Sequence, residues 1–345
     1  MKRINIVFVI ATLLSLAACD ELLLGEKQEN TPVNNFEMLW GDIDKMYGGF
    51  AVKEIDWDSL YDVYRPQVNN NTSDAELYNI FSKMLGQLDD NHVSLIPTNT
   101  GLPVYQSGIV GRLGTFTDFC LSAIADNYID SLKRYSATIL YGTLKGNVGY
   151  ILLGGMEEGI STYEKAFDFL LEEFKNTDGI IIDVRNNPGG IDQESVYIAG
   201  RFATEAKTGF KFRLKNGPEH DNFTPFYEYT VSPQGKTQYT KGVAVMTHRF
   251  SISAAETFTL AMREYDHVTI VGDTTSGAFS DMTSRELPNG WVYSISIGDW
   301  RSADGTSYEG IGLPPDVLVQ NDSTDVANGR DEALEKAIDL LSKGK

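Results

Sequence analysis

Two cysteines and four histidines are all that 345 residues hold of the side chains that most often bind zinc or close disulfides. Two cysteines permit one bridge at most, so a disulfide framework does not carry this fold. So few soft ligands, scattered along the chain, also leave no Cys/His cluster with zinc spacing. Basic residues are short as well. Lys and Arg number 29 against 48 Asp and Glu, a formal charge of −19. No clustered basic face is present to neutralise phosphates, which excludes a nucleic-acid partner. The dispersed acidity reads as general solvation and weak repulsion from anionic membranes. Beyond the first residues no stretch approaches the ~18 apolar residues of a membrane span. What remains is a folded composition, 42% hydrophobic, in a chain too long for one ordinary core.

At the N-terminus, Lys2 and Arg3 precede an apolar run from Ile4 to Leu16, the length of a signal-peptide core. It ends in Leu16-Ala-Ala-Cys19, which resembles a bacterial lipobox. The resemblance implies that residues 1–19 are a lipoprotein signal peptide and that Cys19 is lipidated. The protein is then exported to a bacterial cell envelope, periplasmic or at the cell surface, and touches a membrane only through its lipid anchor. Cys120 is left alone and reads as a small hydrophobe in Phe119-Cys-Leu-Ser.

Residues 20–34 lose periodicity and read as a tether. Over 35–97 the pattern is helical. Phe36, Leu39, Trp40, Ile43 and Tyr47 recur at three- and four-residue spacing, as do Trp57, Leu60, Tyr61 and Tyr64. Ser73-Asp-Ala-Glu76 opens a third helix as a capping box. We read this span as an N-terminal helical domain, 98–137 as a linking subdomain broken by glycines, and 138–345 as the catalytic domain. In the last, Ala137–Tyr141 and Val148–Leu153 read as strands joined through Lys145-Gly-Asn147. Ile180–Val184, Gly242–Thr247 and Val268–Gly272 are apolar runs between turn signals, as in strands covered on both faces. Helices are predicted over Tyr163–Phe174, Ser195–Phe202, Ala254–Arg263 and Asp331–Leu341. Trp291–Ile297 alternates and predicts a strand with one face in water. Strands alternating with helices give an α/β (α+β) fold with a parallel or mixed sheet and ligands at strand C-terminal ends.

Two stretches lie at such ends: Asp178-Gly-Ile-Ile-Ile-Asp-Val-Arg-Asn-Asn-Pro-Gly-Gly190 and Ser251-Ile-Ser-Ala-Ala-Glu256. Acyl transfer by serine needs a hydroxyl, a base, a group orienting the base, and N–H donors for the oxyanion. Ser253 stands between a strand and a helix, so the Ala254 amide is free to donate at a helix N-terminus. Gly189 and Gly190 let backbone approach a substrate without side-chain obstruction. His92 lies at the junction between the third helix and a Val-Ser-Leu-Ile strand. His248, five residues before Ser253, is an alternative base, and Ser251 an alternative nucleophile. Glu256, in the first helical turn, reads as a partner of the helix dipole.

The first stretch resembles the signature of the C-terminal processing (tail-specific) serine peptidases. Ser253-Ala-Ala-Glu256 and Gly310-Ile-Gly-Leu-Pro-Pro-Asp316 match two other blocks of that family, and Asp90-Asn-His92 is similar to the histidine element of its tricorn-core branch. The resemblance implies a crotonase/ClpP-like core of ββα units. It makes Ser253 the nucleophile, His92 the base, Glu309 the residue that orients the base, and the amides of Gly189 and Ala254 the oxyanion hole, with Gly190 an alternative one residue along. A peptide or protein substrate is expected, and no metal or cofactor is implied. Three departures stand out. Ala278 lies in the loop where the processing branch carries a dyad lysine, Asn91 precedes the base where tricorn has serine, and residues 97–138 are too few for a PDZ domain. These departures motivate a second reading, an inactive peptide- or glycan-binding surface lipoprotein on a peptidase fold. A third, a crotonase-like acyl-CoA enzyme, is disfavoured by export.

Overall fold

A computed structural model describes residues 28–113 and 117–342. The signal segment and Cys19 lie outside the described residues. Three helices open the fold: α1 (Pro32–Met46), α2 (Trp57–Tyr64) and α3 (Asp74–Gly86). The cap of α3 forms as its sequence predicts, with Ser73 and Glu76 bonding each other's backbone amides. Short strands β1 (Ser94–Ile96) and β2 (Tyr105–Gln106) follow, then α4 (Gly108–Leu113), α5 (Leu121–Asn127) and β3 (Lys133–Arg134). α5 ends at Asn127, and the chain returns along β3 to the edge of the central sheet.

The second part of the chain begins with β4 (Ile139–Leu144) and β5 (Val148–Leu153). Gly146 and Asn147, at φ 98° and 62°, make the turn between them. There follow α6 (Ile160–Glu173), β6 (Gly179–Asp183), α7 (Asp192–Gly200), β7 (Lys207–Leu214), β8 (Tyr227–Val231) and β9 (Val243–Thr247). Then come α8 (Ala254–Arg263), β10 (Val268–Gly272), β11 (Met282–Glu286), β12 (Val292–Ser296), β13 (Gly298–Ser302) and β14 (Val317–Leu318). Two helices close the chain, α9 (Ser323–Ala327) and α10 (Glu332–Ser342).

A seven-stranded sheet ordered β14-β10-β9-β6-β5-β4-β3 forms the centre. The run from β14 to β5 is parallel, with β4 and β3 antiparallel at one edge. Every residue of β6 and β9 is buried, because α6, α7 and α8 cover one face and α10 the other. Each of Ile180, Ile181 and Ile182 contributes about 1.5–3 kcal/mol by that burial. Among the described residues, no helix is long and apolar enough to cross a membrane.

A second sheet, β11-β12-β1-β2, joins the two halves of the chain. β1 pairs antiparallel with β12, Ser94 opposite Ser294. The apolar side of β12 (Tyr293, Ile295) shares a core with Phe36, Leu39, Phe81 and Met84 of the helices. The other side, Ser294 and Ser296, was expected in water and is buried instead. Polar alternation marks a solvent face only where nothing polar covers it, and here the turn carrying His92 does.

Candidate active site

The sequence Asp183-Val-Arg-Asn-Asn-Pro-Gly-Gly190 is shaped by buried polar bonds. Arg185, 2% exposed, pairs with Asp183 at 2.7 Å and with Asp331 at 2.8 Å, and Tyr150 donates to Asp183 at 2.8 Å. These ties fix how the chain leaves β6. Asn187, fully buried, then donates to Leu153 O and accepts from Gly189 N, both at 2.8 Å, while its carbonyl takes the Ile252 amide at 3.0 Å. Gly189 has φ 105°, and a Cβ there would come within 2.8 Å of Ser253 Cβ. Glycine is required because this loop lies directly on the turn that carries Ser253.

Ser253 has φ 56° and ψ −119°, a strained geometry for a non-glycine residue, at the N-cap of α8. What holds it is Glu256. Its fully buried carboxylate accepts from Ser253 N at 3.0 Å, Thr275 Oγ1 at 2.6 Å, Gly277 N at 2.7 Å and Ala278 N at 2.8 Å. Burial pushes this carboxyl up to about 7 against those donors. Glu256 therefore stitches the serine turn to the loop that follows β10, a larger part than partner of the helix dipole. Ala278, where a dyad lysine was looked for, is in that loop and fully buried.

The alternatives raised by the sequence are committed elsewhere. Ser251 Oγ donates to Val184 O at 2.7 Å and accepts the His248 amide at 3.1 Å. His248 is buried with Nε2 3.0 Å from Asp118, a carboxylate partner the sequence did not reveal, and it does not line the cleft containing Ser253. Of the amides expected to face an oxyanion, that of Gly189 donates to Asn187. Among the described residues the amides of Gly190 and Ala254 donate to no protein acceptor, and Gly190 and Ser253 line one cleft.

That cleft, of about 600 Å³, is also lined by Asn91, His92, Ile252, Asp281 and Met282. The structure thus brings His92 and Ser253 to one cavity from residues far apart in sequence. The His92 turn is sewn down from behind. Asp90, 1% exposed, accepts His92 N at 2.8 Å and Ser296 Oγ at 2.8 Å, and Ser294 Oγ donates to His92 O at 2.6 Å. Asn91 donates to Ser276 at 2.7 Å and accepts from Val110 N at 3.1 Å. Burial lowers the His92 pKa, and the carboxylates of Asp90 and Asp281 partly offset that. A neutral imidazole at pH 7 is the form a general base needs.

Glu309 has other partners than the one expected. Its carboxylate accepts from Phe279 N at 2.6 Å and pairs with Lys53 Nζ at 2.9 Å, while the Nδ1 of His92 is buried without a protein partner among the described residues. Burial first, then Asp90, push the Glu309 carboxyl up to about 8. Lys53, Asp90, Asp281, Ser294 and Ser296 were all missed from sequence. Only Asp90, within the Asp-Asn-His element, carried a local signal. No cluster of metal-ligating side chains occurs among the described residues.

A model described as peptidase family S41 matches residues 147–319, and one described as the tricorn protease C1 domain matches residues 29–86. The carboxy-terminal processing protease CtpA of Bacillus subtilis is 24% identical over 346 residues, covering 86% of this chain and 72% of that protein. A probable CtpA-like serine protease of Staphylococcus aureus is 30% identical over 178 residues, where the match spans 51% of this chain and about a third of that protein, 34%. A crystal structure of a candidate peptidase from Parabacteroides merdae superposes with a TM-score of 0.82 at 32% identity, covering 91% of this chain and 97% of that one.

Proposed function

The chain belongs to peptidase family S41, and on that premise we propose that it hydrolyses peptide bonds with Ser253 as nucleophile and His92 as general base. Ser253 Oγ attacks the scissile carbonyl while His92 takes its proton. The oxyanion is held by the amides of Gly190 and Ala254, and His92 returns the proton to the leaving amine. Water activated by the same imidazole then releases the acyl group. The observation that carries this reading is one cleft lined by both His92 and a Ser253 held at φ 56° on a helix N-terminus. Because Ala278 stands in place of a dyad lysine, the base is a histidine. The substrate is a peptide or protein, cut internally or processed at its C-terminus.

A fluorophosphonate probe tests the assignment. Labelling is expected in the intact protein and in Ser251→Ala if that variant folds, and none in Ser253→Ala. A folded wild-type protein that takes no label between about pH 6 and 9 removes Ser253 as an activated nucleophile. We further infer export and lipid anchoring from residues 1–19. Palmitate incorporated in cells and lost in Cys19→Ala supports the anchor, and equal incorporation in both rejects it.

A further inference from the structure

Lys53 follows the short 3₁₀ turn Gly48–Ala51 after α1, and its side chain is only 13% exposed. Its ammonium donates to Leu88 O at 3.2 Å and Asp89 O at 3.1 Å, pairs with Glu309 at 2.9 Å, and lies 3.9 Å from Asp90 Oδ2. One cation therefore gathers oxygens from two segments, the 88–90 turn and the loop at 309, that no backbone ladder joins to each other. The turn it holds is awkward by itself, because Asp89 sits at φ 44°. That same turn presents the Asp90 carboxylate to the backbone amide of His92.

We propose that Lys53 is a positioning residue for peptide hydrolysis: its ammonium locks the Leu88–Asp90 turn to the Glu309 loop, and so fixes His92 within the cleft opposite Ser253. The proposal rests on the Ser253–His92 reading. Remove the ammonium, and Asp90 and Glu309 become two buried carboxylates with no cation between them. Glu309 is already raised by burial and Asp90, so without the ammonium it holds its proton more tightly or the two groups move apart. Either response shifts the turn that orients the base, and a displacement near 1 Å is worth about 10²-fold in rate. The charged groups acting on the imidazole are Asp90 of its own turn, Asp281 of the loop across the cleft and Lys53. The Tyr47 phenol, fully buried, adds to the cluster beside Asp90. Lys53 lowers the proton affinity of His92 and Asp90 raises it, so loss of the lysine moves the base toward the protonated form at neutral pH.

The test compares Lys53→Met and Lys53→Arg in the full chain, by peptide hydrolysis and by fluorophosphonate labelling across pH. Lys53→Met is expected to lose at least about tenfold in kcat with KM within about threefold, since ground-state binding is untouched. The acid limb of its labelling profile moves to higher pH. Lys53→Arg, which can still reach Glu309 and the two carbonyls, recovers most of kcat. If Lys53→Met does not fold, the double variant Lys53→Met/Glu309→Gln removes both partners of the contact, and the same kcat loss is expected. Wild-type kcat and an unmoved acid limb in either folded variant overturn the proposal, as does Lys53→Arg as impaired as Lys53→Met. Failure of the underlying reading is separate, because it shows as an unlabelled wild type.

Discussion

Glu256→Gln isolates what one buried carboxylate does for the Ser253 turn. Oε1 accepts from Thr275 Oγ1 and Gly277 N, and Oε2 from Ser253 N and Ala278 N. A glutamine keeps one oxygen. In its better orientation the NH₂ group replaces Oε1, where the Thr275 hydroxyl can turn to accept and the Gly277 amide is left facing a donor. An unpaired buried amide costs about 1–3 kcal/mol, so the variant is expected to be less stable by that amount. The loss depends on pH. The carboxyl is raised from 4.5 to about 7 in the fold, so its contribution is fully present below pH 4.5 and is lost as pH rises through about 7. That rise corresponds to about 3 kcal/mol, which the neutral glutamine does not experience. Urea unfolding of both proteins at pH 5 and pH 8 measures it: the wild type is ahead at pH 5, and the gap narrows or reverses at pH 8. A gap that is equal at the two pH values refutes the reasoning, because Glu256 would then hold the same proton count folded and unfolded. Labelling of Glu256→Gln by a fluorophosphonate slows in parallel, since the 275–278 loop is no longer tied to Ser253.

Three further outcomes follow from the same geometry. Ser253→Gly is expected to be inactive yet more stable than Ser253→Ala by about 1–2 kcal/mol in thermal melts, because glycine relieves the positive φ; equal stabilities reject the strain. Arg185→Met leaves Asp183 and Asp331 buried without their cation and should cost about 3–5 kcal/mol by urea unfolding, whereas a loss below 1 kcal/mol would show the network to be dispensable. Asp281→Asn removes a charge that raises the His92 pKa, so the acid limb of kcat/KM moves to lower pH; an unmoved or upward-shifted limb excludes Asp281 as an influence on the base.

Much of this was legible in the sequence because it is local. The runs at 180–184 and 243–247 became fully buried parallel strands, and α8 and β10 have the predicted limits, since periodicity and turn residues act over a few positions. The glycine loop and Ser253 were readable for the same reason, each being a strand end and a turn. The surroundings of the base were not. Asp90, Ser296, Lys53 and Glu309 meet across separations that no window spans, and serines on β12 that look solvated are the ones bonding the His92 turn. Glu256 was underrated because a carboxylate in a first helical turn is ordinarily a surface feature. It is the burial of the carboxylate itself, facing four donors, that gives it another meaning.

The pairing of β1 with β12 also has a consequence in time. Ser94 and Ser294 are two hundred positions apart, and the bonds from β12 to the turn bearing His92 form only when that register closes. A chain emerging residue by residue makes the histidine early and the serine late, and the strand that brings them together later still. On the proposed pairing of Ser253 with His92, the polypeptide therefore carries both groups through most of its synthesis without a working pair. Competence arrives in the last stages of long-range closure, when almost the whole chain is present. On that reading an incomplete chain has no working site, for reasons of topology alone.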